Sequence, residues 1–134
     1  MNKMVKSDTI ELLQELLEGE RAGARIALDS LKEAHDERQA TLLSQILIGE
    51  VESCRLIINC INYLGDLPSP NIGDFYIKAM RIENIIDRIN FIDKGQRWVI
   101  KKINKHLELT SSEFVRKELE MVLDIHILNS NAIN

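Results

Sequence analysis

The sequence predicts an all-α domain, and three observations carry that prediction. Apolar residues recur with the spacing of an amphipathic helix over four long segments, and no stretch alternates as a strand does. Glycine and proline are scarce, with six and two in 134 residues, far below what a loop-rich or all-β chain uses. Both prolines, Pro68 and Pro70, fall in one short stretch, so the rest of the chain is free of helix breakers. A hydrophobic share of 45% excludes a disordered chain, and the length suits a single core, so residues 1–134 form one domain, a four-helix bundle.

The first helix is expected over about 8–33. Asp8 and Glu11 have capping-box spacing, and Leu13, Leu16, Leu17, Ala24 and Ala27 share one face. A short polar turn at His35-Asp36 leads to a second helix over about 37–64, striped by Leu43, Ile46, Leu47, Cys54, Ile57 and Ile61, with Gly65 as its C′ residue. So short a turn makes these two helices antiparallel neighbours. The run from Gly65 to Gly73 holds both prolines and is the candidate crossover between helices two and three. A third helix is expected over about 74–106, with Gly95 as a possible kink. Thr110-Ser111-Ser112-Glu113 caps a fourth over about 111–130, whose inner face carries Val115, Leu119, Val122 and Ile125.

Charge narrows the partners. A net charge of −4 and only six aromatic side chains argue against a grip on phosphate backbones or stacked bases, so no nucleic acid is expected. No stretch approaches the roughly 20 apolar residues of a membrane span, and the first residues lack the apolar region of a secretory signal. The chain therefore reads as cytoplasmic with no membrane partner. Cys54 and Cys60 stand about 9 Å apart along one helix at ~1.5 Å per residue, too far for a disulfide, and are expected to be reduced core residues. A homodimer is expected on general grounds for a bundle of this size.

Function is sought where charged residues interrupt the apolar stripes, because a buried charge costs several kcal/mol unless it is paired or metal-bound. Glu20 interrupts helix one, Glu50 helix two and His126 helix four. A turn centred near residue 35 or 36 puts position 51 opposite Glu20, so the two glutamates can share a site. Gly23 and Gly49 fall at matching heights and suggest a close backbone approach of helices one and two. On helix three, height places Ile92 opposite His126, with Asp93 and Gln96 on the inner edge; Glu83 lies about two turns away. The same residues also allow a plain ion-pair reading, in which Arg21, Arg25 or Arg55 neutralises the glutamates. Tyr76 and Trp98 are expected as core or dimer contacts.

A glutamate on helix one, Glu-x-x-His on helix two, a glutamate on helix three and Glu-x-x-His on helix four is the di-iron carboxylate pattern of ferritin-like bundles. The stretches at 15–25 (Glu-Leu-Leu-Glu-Gly-Glu-Arg-Ala-Gly-Ala-Arg), 73–80 (Gly-Asp-Phe-Tyr-Ile-Lys-Ala-Met) and 95–103 (Gly-Gln-Arg-Trp-Val-Ile-Lys-Lys-Ile) resemble motifs of an uncharacterised ferritin-like family in the rubrerythrin and di-iron carboxylate superfamily. Some relatives carry this unit fused to a ThiJ/PfpI-like domain. The resemblance implies a ferritin-like bundle and a site for one or two iron or manganese ions handling oxygen or peroxide. It carries over to Glu20, Glu50, Glu83 and His126, with Asp93 the helix-three acid preferred by height. Two slots depart from the pattern: Ser53 stands where the second helix should offer histidine, and Leu123 where the fourth should offer glutamate. Those departures keep open a bundle without metal, serving as a structural, dimerisation or partner-binding module.

Overall fold

The computed structural model describes residues 3–134, and among them every regular element is helical. Helix α1 spans Lys6–Ser30 and tightens into a 3-10 turn at Leu31–Glu33; α2 spans Glu37–Tyr63. A short α3, Phe75–Met80, precedes α4 at Ile85–His106, and α5 closes the chain at Glu113–Ile133. Helix α1 packs on α2, α2 on α5, α5 on α4, and α1 is also touched by α3 and α4. No helix among the described residues is long and apolar enough to cross a membrane.

Local chemistry explains most boundaries. Asp36 caps α2 by accepting from Gln39 N at 2.8 Å, and Ser112 caps α5 by accepting from Val115 N at 3.2 Å. Helix α2 stops at Gly65, whose φ of 86° lets Asp66 N reach back to Ile61 O at 3.1 Å. Helix α1 departs from expectation. It begins before Asp8, with Val5 as its N-cap and no side-chain cap, so the Asp8 and Glu11 capping box does not form. The connection after α2 lies on α1. Gln14 donates to Leu67 O at 2.7 Å and accepts from Ser69 N at 2.7 Å, and Ser69 Oγ donates to Glu18 at 2.8 Å.

The expected third helix is two helices, and the break falls at Arg81–Asn84 rather than at Gly95. Asn84 accepts from Asp87 N at 3.0 Å and so starts a new helix. Arg88, only 3% exposed, donates from Nε and Nη2 to Ile82 O at 2.9 and 2.7 Å and from Nη1 to Ser30 Oγ at 3.2 Å. It also pairs with Glu33, tying the break to the end of α1. Gly95 instead admits α3, since a Cβ there would stand 2.8 Å from the Phe75 ring, which stacks on Phe91.

Two apolar cores result. One gathers Leu13, Leu16 and Leu17 of α1 with the C-terminal halves of α2 and α4 and the first half of α5. The other gathers Ile26, Leu43, Ile46, Ile85, Ile89 and Ile92 around the opposite ends of α1, α2 and α4. In chain order Glu20, Glu50 and Gln96 fall between the two sets on their helices, and all three are buried.

The Arg88 contacts predict that Arg88→Ala lowers unfolding stability by about 2–4 kcal/mol, read as a shift of the urea midpoint. Arg88→Lys recovers only part of this, because one ammonium cannot span the Ile82 carbonyl, Ser30 and Glu33 together.

Candidate metal centre

Glu20, Glu50 and His126 come together in the layer between the cores. Each has a possible ligand atom within 4.8 Å of those of the other two, and all three side chains are buried. Their elements bring them there simply. Glu20 lies one turn beyond Leu16 and Leu17 on α1, Glu50 one turn beyond Ile46 on α2, and His126 one turn beyond Val122 on α5.

The orientation of His126 decides what the group can do. Its Nδ1 lies 2.8 Å from Val122 O, and since a carbonyl only accepts, Nδ1 carries a proton and donates it. That bond turns Nε2 towards the carboxylates: 2.9 Å from Glu20 Oε1, 2.9 Å from Glu20 Oε2 and 3.3 Å from Glu50 Oε1. Only Oε1 of Glu20 has hydrogen-bonding geometry, so the buried Oε2 has no donor. Gln96 Nε2 donates to Glu50 Oε1 at 2.7 Å, and Gln96 Oε1 is likewise buried without a partner. Gly23 makes room for the glutamate, since a Cβ there would stand 2.2 Å from Glu50 Oε2.

Electrostatics follow from this geometry. Burial, with Glu50 alongside, pushes the Glu20 carboxyl up to about 8, against the opposing pull of His126. Burial alone would lower the His126 imidazole, but Glu20 and then Glu50 override it and hold it well above its usual value. A proton is therefore held strongly between Nε2 and the carboxylates. Burial, with the Glu20 and Glu50 charges nearby, also pushes the Cys54 thiol up to about 12, so it offers no thiolate. Both cysteines are free.

The other candidate acids lie elsewhere. Glu83 is exposed in the break between α3 and α4, outside any helix. Asp93 is buried, but it accepts from Ser130 Oγ at 2.6 Å and Asn134 Nδ2 at 2.9 Å and pairs with Arg97 at 2.9 Å, tying α4 to the end of α5. Gln96, one turn further on, is the α4 residue that reaches the layer. Among the described residues no arginine pairs with Glu20 or Glu50: Arg25 pairs with Asp29 and Arg55 with Glu52. Nor do the glycines face each other. A Cβ on Gly49 would stand 2.8 Å from Asn129 Nδ2 and 2.9 Å from Ile125 Cγ2, so Gly49 serves the approach of α5.

A cleft of about 700 Å³ leads to the group, lined by α1, α3, α4 and the connection before α3, with Glu20, Glu50 and Gln96 among its lining residues. Gly19 and Trp98 form part of its wall, and Trp98 is 40% exposed there with the Lys102 ammonium 5.6 Å from its ring centre. Tyr76 instead donates to Asp29 at the far end of α1, under Arg25. The cleft had no signal in the helical periodicity. It depends on the break before α4 and on the path of the connection.

Residues 7–133 match the model of a family described as Domain of unknown function (DUF6306), and the chain belongs to that family. No curated protein and no solved structure matches the chain.

The raised Glu20 and His126 values predict how stability changes with pH. Both groups bind protons more tightly folded than unfolded, so the native state carries more protons above about pH 4.5 for the glutamate and about 6.5 for the histidine. Stability without metal should fall as pH rises through neutrality, with the Glu20 part lost by about pH 8. Urea titrations from pH 5.5 to 8.5 test this. In Glu20→Gln the slope should flatten, and an unchanged slope would contradict the assignment.

Proposed function

With no activity assigned to the family, we infer that the chain is a ferritin-like four-helix bundle in which Glu20, Glu50 and His126 hold one iron or manganese ion. The single observation that carries this reading is the His126 bond to Val122 O, which presents Nε2 to two buried carboxylates as ligand histidines are held elsewhere. The common core of the C-terminal halves of α2 and α4 supports a crossover, because it makes those helices parallel.

The donor set suits one ion. Carboxylate oxygen and imidazole nitrogen are ligands for iron and manganese, and the partnerless Glu20 Oε2 is an acceptor that a cation would satisfy. A second ion does not fit, since Ser53 and Leu123 occupy the remaining ligand slots, and Glu83 and Asp93 are engaged or exposed elsewhere. A bound iron or manganese ion supplies Lewis acidity and one-electron chemistry towards dioxygen or peroxide.

The chain's own residues prepare the site. Val122 O fixes the His126 tautomer and ring, Gln96 orients the Glu50 carboxylate, and Gly23 leaves the space that carboxylate needs. The apolar cores keep bulk water away from the charges, and the cleft gives small molecules a path to them. The reading includes a cytoplasmic location and a homodimer, and exposed Ile48 and Val51 on α2 and Met121 and Leu128 on α5 offer apolar surface for the dimer alone.

A second reading has its own support. The Glu20 and His126 hydrogen bond partly satisfies the layer without an ion, and Ser53 stands in place of a ligand, as in a bundle whose polar layer only fixes helix register.

Elemental analysis of protein expressed with iron or with manganese separates the two. The metal reading expects about one ion per chain, lost in Glu20→Ala and in Glu50→Ala; metal-free native protein would leave the structural layer. Because the ion displaces the proton at Nε2, affinity for manganese should rise at least about tenfold from pH 6 to pH 8, as titration at fixed ionic strength would show.

A further inference from the structure

Six glycines stand in the chain, and five of them have a local reason. Gly65 and Gly73 take φ of 86° and 63°, a region that other residues rarely adopt. A Cβ on Gly23, Gly49 or Gly95 would come within 2.2, 2.8 and 2.8 Å of Glu50, Asn129 and Phe75, too close to fit. Gly19 has no such neighbour. The atom nearest its would-be Cβ is Trp98 Cζ3 at 3.4 Å, an ordinary contact, so alanine would fit there. A glycine in the middle of a helix costs stability relative to alanine, so α1 keeps at Gly19 an opening that its own packing does not need.

That opening lies in the wall of the cleft. Trp98 stands beside it, 40% exposed, presenting a flat apolar ring to a space of about 700 Å³. A water molecule takes about 30 Å³ of liquid, and dioxygen or peroxide is of similar size, whereas pockets of this volume take organic molecules. Ile72, Phe75 and Val99 continue the apolar lining.

Charge in the cleft favours neither sign. Glu15, Glu18 and Asp74 are matched by Lys78, Lys94 and Lys102, the last paired with Glu15 at 3.2 Å and 5.6 Å from the Trp98 ring centre. Deeper in, the Glu20 and Glu50 charges are offset by the protons they share with His126, or by a divalent ion in their place. A charged ligand would give up hydration here and gain no net field in return. A flat uncharged one loses little and covers the Trp98 ring.

We propose that this cleft binds a small uncharged aromatic molecule of one or two rings, lying against Trp98 in the space that Gly19 leaves open. The inference deepens the metal reading by naming the class of molecule brought beside Glu20, Glu50 and His126. It rests on that reading only for what happens to the molecule there, since binding itself uses Trp98, Gly19 and the balanced charge.

Trp98 is the only tryptophan in the chain, so its indole N–H gives a single nitrogen-15 resonance that reports directly on the cleft. The probe is 2-naphthylmethanol, titrated into protein stripped with chelator and again into manganese-free protein loaded with zinc. Controls are 2-naphthylmethylamine and 2-naphthoate, which keep the rings and add a charge of either sign. The expected result is a saturable shift in both forms, with the alcohol at least tenfold tighter than either control. Binding should weaken about threefold in Gly19→Ala and at least tenfold in Gly19→Leu, with helical circular dichroism retained. Gly19→Ala should at the same time raise the urea midpoint, since the opening serves the ligand and not the fold. No saturable shift, a charged control binding within tenfold of the alcohol, undiminished binding in either variant, or a lower midpoint for Gly19→Ala would overturn the proposal. Metal bound in stoichiometric amount without aromatic binding defeats this inference alone; the alcohol bound by a protein that takes up no metal defeats the metal reading alone.

Discussion

Two carboxylates and an imidazole set between two apolar cores must share protons or a cation, because bare charges in such a layer would cost far more than a small domain's stability. That requirement ties together three helices distant in sequence. Glu20 on α1 meets His126 on α5 at 2.9 Å, and Glu50 on α2 lies 3.3 Å from the same nitrogen. Sliding any of these helices by one turn would bury a charge among leucines and isoleucines. The layer therefore fixes register as well as chemistry.

Neighbouring residues follow from the same need. Gly23 is small because the Glu50 carboxylate occupies the space a side chain would fill, and Gly49 is small because α5 must come close enough to deliver His126. Gln96 is an amide where a third acid would add repulsion, and it donates to Glu50 without charge. The break before α4, held by Arg88, and the connection strapped to α1 by Gln14 and Glu18 open one side of the layer to a cleft rather than sealing it. Stability at the layer and access to it are thus arranged by different residues.

Much of this was legible in the sequence, and the gaps have physical causes. Glu20, Glu50 and His126 interrupt clean 3.6-residue stripes, and a short turn between antiparallel helices makes height countable from the chain alone. On α4 counting named both Asp93 and Gln96 at the right height, and the preference fell on the acid although the amide is what reaches the layer. Asp93 and Gln96 differ by about 60° around the axis, too little for a stripe to separate, and Ser130, Asn134 and Arg97 claim Asp93. Glu83 entered through the family resemblance, and on a continuous third helix it already lay about two turns from the height of His126. The break that exposes it carried a signal, Asn84 followed three residues later by Asp87, though a strongly apolar pattern on either side masked it. Glycine roles were half legible: the positions mark close approach, but what approaches depends on partners that only three dimensions supply.

His126 has Nδ1 on the Val122 carbonyl and Nε2 turned to Glu20 and Glu50, and the proposed cation would take the place of the proton at that Nε2. Nitrogen-15 resonances of the His126 ring, recorded before and after addition of cadmium-113, test it most directly. Nδ1 should stay protonated throughout, and on cadmium binding Nε2 should shift strongly and show one-bond coupling to the metal. An Nε2 that keeps its proton and shows no coupling at saturating cadmium would contradict it.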